Sequence, residues 1–106
     1  MKIKISIILF ALICMACETM YEAQGVVYSE TTGLPIRAVE VTLLVGSRPE
    51  NRSITDSLGR FQVKSDLYGC VPRCPGASLL IFKKGYKYSL VLLDTVETMV
   101  VKLQEE

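Results

Sequence analysis

The sequence predicts an all-β fold, a seven-stranded Greek-key β-sandwich. Three observations carry it. Between Gln24 and Leu103 the chain runs as short β-branched and apolar segments cut by Gly, Pro, Asp and Ser, the spacing of antiparallel sandwiches. In the clearest segments every second residue is apolar, as in a strand with one face in a core. No segment carries the longer apolar period of an amphipathic helix.

The elements follow in order. Residues 24–28 form the first strand. Residues 29–35 turn the chain, with Gly33 suited to positive φ and Pro35 too stiff for a central strand. Residues 38–45 form the clearest strand, because Val39, Val41, Leu43 and Val45 alternate with Glu40, Thr42 and Leu44. Residues 46–53 are polar and read as a loop. Ile54-Thr55 opens a hairpin arm, Asp56-Ser57-Leu58-Gly59 has the Asp and Gly of a type I turn, and residues 60–64 return with Phe61 and Val63 inward. Residues 66–77 form a long Cys/Pro/Gly loop. The apolar run Leu79 to Phe82 predicts a strand covered on both faces within residues 78–83. Lys84-Gly85 turns the chain, and residues 88–93 and 97–103 are the last strands, with Met99, Val101 and Leu103 sharing a face opposite Lys102.

The first sixteen residues are of another kind. Lys2 and Lys4 precede a stretch that is apolar apart from Ser6 and the sulfur-containing residues. A membrane span takes roughly 20 residues. An apolar run of this length after two lysines matches a secretory signal. Ala16-Cys17 at its end resembles the lipobox of bacterial lipoproteins. That resemblance implies that Cys17 becomes the first mature residue and carries a thioether-linked diacylglycerol, usually with an N-acyl chain. Cys14 stands where the lipobox prefers Leu, and residues 12–17 also permit ordinary cleavage without lipid. Two or more acyl chains anchor a protein stably, where one binds only marginally. The expected organisation is a signal peptide at 1–16, a short tether at 17–23 and one domain at 24–106.

Export places the remaining cysteines, Cys70 and Cys74 in Cys-Val-Pro-Arg-Cys, in an oxidising compartment, where they form the natural disulfide. A five-residue loop contributes about 2 kcal/mol by loop entropy, less any strain. A redox pair is the competing reading, but active redox motifs use two intervening residues opening a helix. Here three intervene, one of them Pro72.

Composition excludes several functions. There is no histidine, so no Ser-His-Asp or Cys-His nucleophile and no His-ligated zinc can be built. Two cysteines alone cannot close a structural zinc site, and no EF-hand calcium run occurs. Removing residues 1–16 takes away Lys2 and Lys4 and leaves ten basic against eleven acidic residues, a net charge of −1. Such a balance gives no electrostatic case for nucleic acid. A carboxylate-pair hydrolase needs two acids converging in a cleft, whereas Asp56, Asp66 and Asp94 all fall at expected turns or strand ends. No catalytic residue, metal or cofactor is expected.

Gly25-x-Val27, Thr32-Gly33-x-Pro35-Ile36 and Val41-x-Leu43, followed by Thr55-Asp56-x-x-Gly59-x-Phe61, Gly85-Tyr86 and a last strand carrying Val100 and Leu103, resemble the carboxypeptidase regulatory-like domain. The resemblance spans residues 24–103. It implies a transthyretin-like (prealbumin-like) sandwich, here on a lipid anchor, of a kind common in Bacteroidetes. Ser29 stands where that family usually has Asp, and Ala38-Val39 where it prefers Gly-Ala; both concern the first turn. The motif is a fold signature and brings no catalytic residue. A purine-pathway hydrolase of the transthyretin-like fold uses histidines and a C-terminal Tyr-Arg-Gly-Ser, and this chain has neither.

The expected function is therefore a non-catalytic interaction or scaffold module, lipid-anchored in the cell envelope at the outer membrane, acting on an envelope protein or glycan. The candidate surface is the loop end with Arg48, Glu50, Asn51 and Arg52, beside the 66–77 loop. The alternative is a carbohydrate- or peptide-binding lipoprotein accessory to nutrient uptake or to a peptidase. It points to Tyr86 and Tyr88, two residues apart on one strand face, or to β-addition at an open sheet edge.

Overall fold

The structure, a computed structural model, describes residues 18–66, 68–69 and 75–106. It is all-β, with seven strands in two sheets and one additional two-residue pair. The strands in chain order are β1 (Glu18–Thr19), β2 (Glu22–Ser29), β3 (Glu40–Val45), β4 (Arg48–Ile54), β5 (Arg60–Lys64), β6 (Tyr68–Gly69), β7 (Ala77–Phe82), β8 (Ser89–Leu93) and β9 (Val96–Leu103). One sheet has the order β5-β2-β9 and the other β4-β3-β7-β8, while β1 pairs with β6. All neighbours are antiparallel except β2 and β9, which run parallel along eight residue pairs from Glu22↔Val96 to Ser29↔Leu103.

Alternation builds the core between the sheets. On β3, Val41, Leu43 and Val45 are buried, as are Phe61 and Val63 on β5 and Val101 and Leu103 on β9. These meet Val27, Leu79, Ile81 and Leu93 in a single apolar cluster, with Tyr86, Val91 and Met99 packed on its margin. The inward residues expected on these strands thus lie where their period of two puts them.

Four sequence expectations need correction. First, the polar stretch 46–53 is not a loop. Gly46 and Ser47 both take positive φ, at 57° and 67°, which is the two-residue hairpin turn with twist matched to its strands. Arg48 onward then pairs with β3 as an edge strand, with a register shift between Leu43 and Leu44. An edge strand with both sides near water tolerates Arg, Pro and Glu, so polarity did not mark a loop. Second, residues 18–23 are not a tether. Tyr21 is buried, its N–H donates to Ser65 Oγ at 2.9 Å, its hydroxyl donates to the Pro75 carbonyl, and Ala23 is fully buried in β2. Third, β7 is covered on one face only. Leu79 and Ile81 are fully buried, but Phe82 is 48% exposed, because no further layer lies outside the four-stranded sheet among the described residues. Fourth, β3 begins at Glu40 and not at Ala38, whose φ of 61° breaks the extended backbone.

The turn motifs take up defined jobs. Gly59 N–H donates to the Asp56 carbonyl at 2.9 Å, closing the expected turn. Ser29 accepts the Thr32 N–H on its hydroxyl at 3.2 Å. A Cβ on Gly25 would lie 2.0 Å from the Met99 carbonyl oxygen, so glycine there lets the parallel strands β2 and β9 approach.

Candidate functional site

Cys17, Cys70 and Cys74 lie outside the described residues, and with them the expected lipidation site and disulfide. The remaining candidates fall on the four-stranded sheet and its ends.

Arg48 opens β4 beside the hairpin turn, pairing with Val45, and Arg52 lies farther along opposite Thr42. The Arg52 guanidinium donates to Glu40 Oε1 at 2.6 Å. Its charge is therefore already matched across the strand pair, and both partners remain open to solvent. Such an exposed pair is worth at most about 1 kcal/mol and serves mainly to hold Arg52 flat on the sheet.

Tyr86 and Tyr88 are not presented together. Tyr86 forms an isolated bridge with Glu105 and packs half-buried against the core margin. Tyr88 precedes β8 and is 70% exposed. The ring of Tyr88 borders a shallow hollow of about 410 Å³ with Phe82, Leu80, Thr42 and Glu40. Sequence reasoning had assigned Phe82 and Leu80 to a covered strand and so missed this hollow; its signal was the absence of any helix to cover that face. A second shallow groove, about 530 Å³, is lined mainly by β2, β5 and β9, with Gln24, Arg60, Gln62 and Thr98, and reaches Ser53 and Asp56.

The turn that carries the family-like motif is held by its own side chains. Thr55 is buried; its Oγ1 accepts the Val39 N–H at 2.9 Å and donates to the Ile36 carbonyl at 2.7 Å. Asp56 Oδ1 accepts the N–H groups of Leu58 and Arg60, each at 2.9 Å, and Oδ2 accepts Arg60 Nε at 2.9 Å. The Arg60 N–H, with the guanidinium and the Leu58 N–H behind it, holds the Asp56 carboxyl below its ordinary value. A carboxylate so occupied is a turn clamp and a poor proton acceptor for chemistry. Asp66 follows the far end of β5 from Asp56, so these two acids do not converge. Among the described residues no group of three His, Cys, Asp or Glu could hold a metal ion, and no helix is long and apolar enough to cross a membrane.

No protein-family model matches the chain, and no curated protein sequence matches it. Solved structures do resemble it in shape. The 3-chlorocatechol 1,2-dioxygenase of Rhodococcus opacus 1CP aligns with a TM-score of 0.58 at 10% identity, covering 83% of this chain and 60% of that one. The chlorocatechol 1,2-dioxygenase of Pseudomonas putida aligns at 0.56 and 9% identity, over 84% and 61%. The minor pilin GBS52 of Streptococcus agalactiae aligns at 0.50 and 13% identity, over 85% and 45%. The chain thus spans about three fifths of the dioxygenases' length. Likeness at such identities shows a shared β-sandwich fold and nothing about chemistry.

Proposed function

We propose that this chain is a non-catalytic lipoprotein of the cell envelope. A Greek-key, transthyretin-like domain of the carboxypeptidase regulatory-like type works there as an interaction or scaffold module. In this reading Cys17 carries the lipid, Cys70 and Cys74 form a disulfide, and the outer membrane is the site of anchoring. The observation that carries it is the join between its two parts: the lipobox-like Ala16-Cys17 is followed at once by β1, which opens at Glu18. Acyl chains on Cys17 would hold the sandwich against the bilayer with almost no slack, so its sheet faces and edges become the working surface. The consumption of Thr55 and Asp56 by their own turn supports a motif that builds a fold and leaves reaction chemistry aside.

Two experiments test this. In intact cells fed a palmitate analogue, the wild type takes up label and Cys17→Ser does not; equal label in both would defeat the anchor. Crosslinking in intact cells followed by pulldown recovers a reproducible envelope transporter or peptidase; recovery of no partner above the level of a Cys17→Ser control would defeat the module.

One observation favours a second reading, binding of a glycan or peptide. Tyr88 and Phe82 border the same hollow beside Glu40 and Thr42, and an exposed ring next to polar groups is a stacking platform for such a ligand. A glycan and peptide array that stays blank for the wild type would remove it. Binding lost on Tyr88→Ala would support it.

A further inference from the structure

We infer that the free edge of β8 is a docking site for a second copy of this chain, joined antiparallel about a two-fold axis at Val91. The inference is independent of the anchor.

The two main sheets end in four edge strands, and three of them carry the residues that discourage pairing. β4 has Arg48, Glu50 and Arg52 with Pro49 and a register shift. β5 begins and ends on Arg60 and Lys64, and β9 carries Glu97 and Lys102. β8 is Ser-Leu-Val-Leu-Leu, with no charge and no proline. Among the described residues it pairs with β7 alone. It also carries the most exposed large apolar side chain among the described residues, Leu92 at 82%, with Leu90 at 57% on the same face. An uncharged apolar edge with a row of unpaired backbone groups is a template for another strand.

What fits it best is β8 itself. An antiparallel pair must set outward residues opposite outward ones. A two-fold axis at Val91 does this, placing Leu90 of each copy opposite Leu92 of the other and Ser89 opposite Leu93. The four leucines then extend the apolar face that Leu80 and Phe82 begin, since Leu80 is already the cross-strand partner of Leu90. The charges at the ends agree. Lys87 precedes the strand and Asp94 follows it, so antiparallel pairing brings the basic end of each copy to the acidic end of the other. A parallel arrangement would set like charges together, which is destabilising. The product is a continuous eight-stranded sheet with that edge closed on both sides.

The test uses the full chain purified in detergent and counted by native mass spectrometry. The wild type is expected to be a dimer. Leu92→Lys, an exposed change that leaves the far-ultraviolet circular dichroism nearly unaltered, is expected to make it monomeric. Lys87→Glu weakens the dimer several-fold, and adding Asp94→Lys to the same chain restores it, a reciprocity that only antiparallel self-pairing gives. A monomeric wild type would overturn the inference, including the case where β8 receives an extended segment of another protein. So would a Leu92→Lys chain that stays dimeric while folded, or a double charge exchange that fails to restore association.

Discussion

Replacing Thr55 with Val keeps its bulk and removes its hydroxyl. Two buried groups, the Val39 N–H and the Ile36 carbonyl, then lose a partner. Leaving such groups unsatisfied costs about 1–3 kcal/mol each. Urea unfolding of Thr55→Val is expected to show a loss of at least the lower figure, and no loss would mean the hydroxyl is idle. Ala38 acts in the opposite direction. Its φ of 61° lies where an L side chain is strained and glycine is not. Ala38→Gly should therefore stabilise, by on the order of 0.5–1 kcal/mol after glycine's own entropy is set against the relief. A lower urea midpoint would refute this. Asp56 brings pH into the account. Its folded carboxyl titrates lower than an unfolded one, chiefly because of the Arg60 N–H. Its stabilising effect is therefore complete above the range where the unfolded carboxyl titrates, and fades as pH falls through the lower folded value. Asp56→Asn should flatten the acid-side decline of the urea midpoint; an unchanged slope would show the clamp to be neutral.

Among the elements, the strands with inward residues on a strict period of two were legible in the sequence. Val41, Leu43 and Val45 on β3 and Phe61 and Val63 on β5 are all buried, because one face of each meets the core and the other meets water. β4 was not legible, because as an edge strand it buries almost nothing and its residues follow solubility rather than packing. Its only mark was Gly46-Ser47, a pair that can serve as a two-residue hairpin turn. That turn makes its own prediction: Ser47→Gly relieves a second positive φ and should raise stability by on the order of 1 kcal/mol, read from the thermal midpoint, while a lower midpoint would argue against this turn. The uncovered face of β7 and β8 was hidden for a related reason. A run such as Leu79 to Phe82 looks the same whether a layer covers its second face or that face waits for a partner. The candidate surface fared likewise. Charge and aromaticity pointed to Arg48, Arg52, Tyr86 and Tyr88, but only the fold shows Arg52 matched by Glu40, Tyr86 turned to the core margin and Tyr88 left open.

At the scale of the molecule, one core holds the two sheets together, and the close parallel approach of β2 and β9 holds the three-stranded sheet. Gly25→Ala places a methyl group against the Met99 carbonyl. The strands must then move apart, at a cost of about 1–3 kcal/mol, and a midpoint equal to wild type would contradict that approach. The same molecule begins its first described strand one residue after Cys17. On our account, sequence and fold meet there: a signal ends, a lipid is attached and a sandwich starts without an intervening linker. The intact mass of the protein purified from its own membranes tests this most directly. The account predicts a chain of residues 17–106 bearing a diacylglycerol on Cys17, with Cys70 and Cys74 oxidised. A mass corresponding to an unmodified Cys17, or to a chain starting elsewhere, would contradict it.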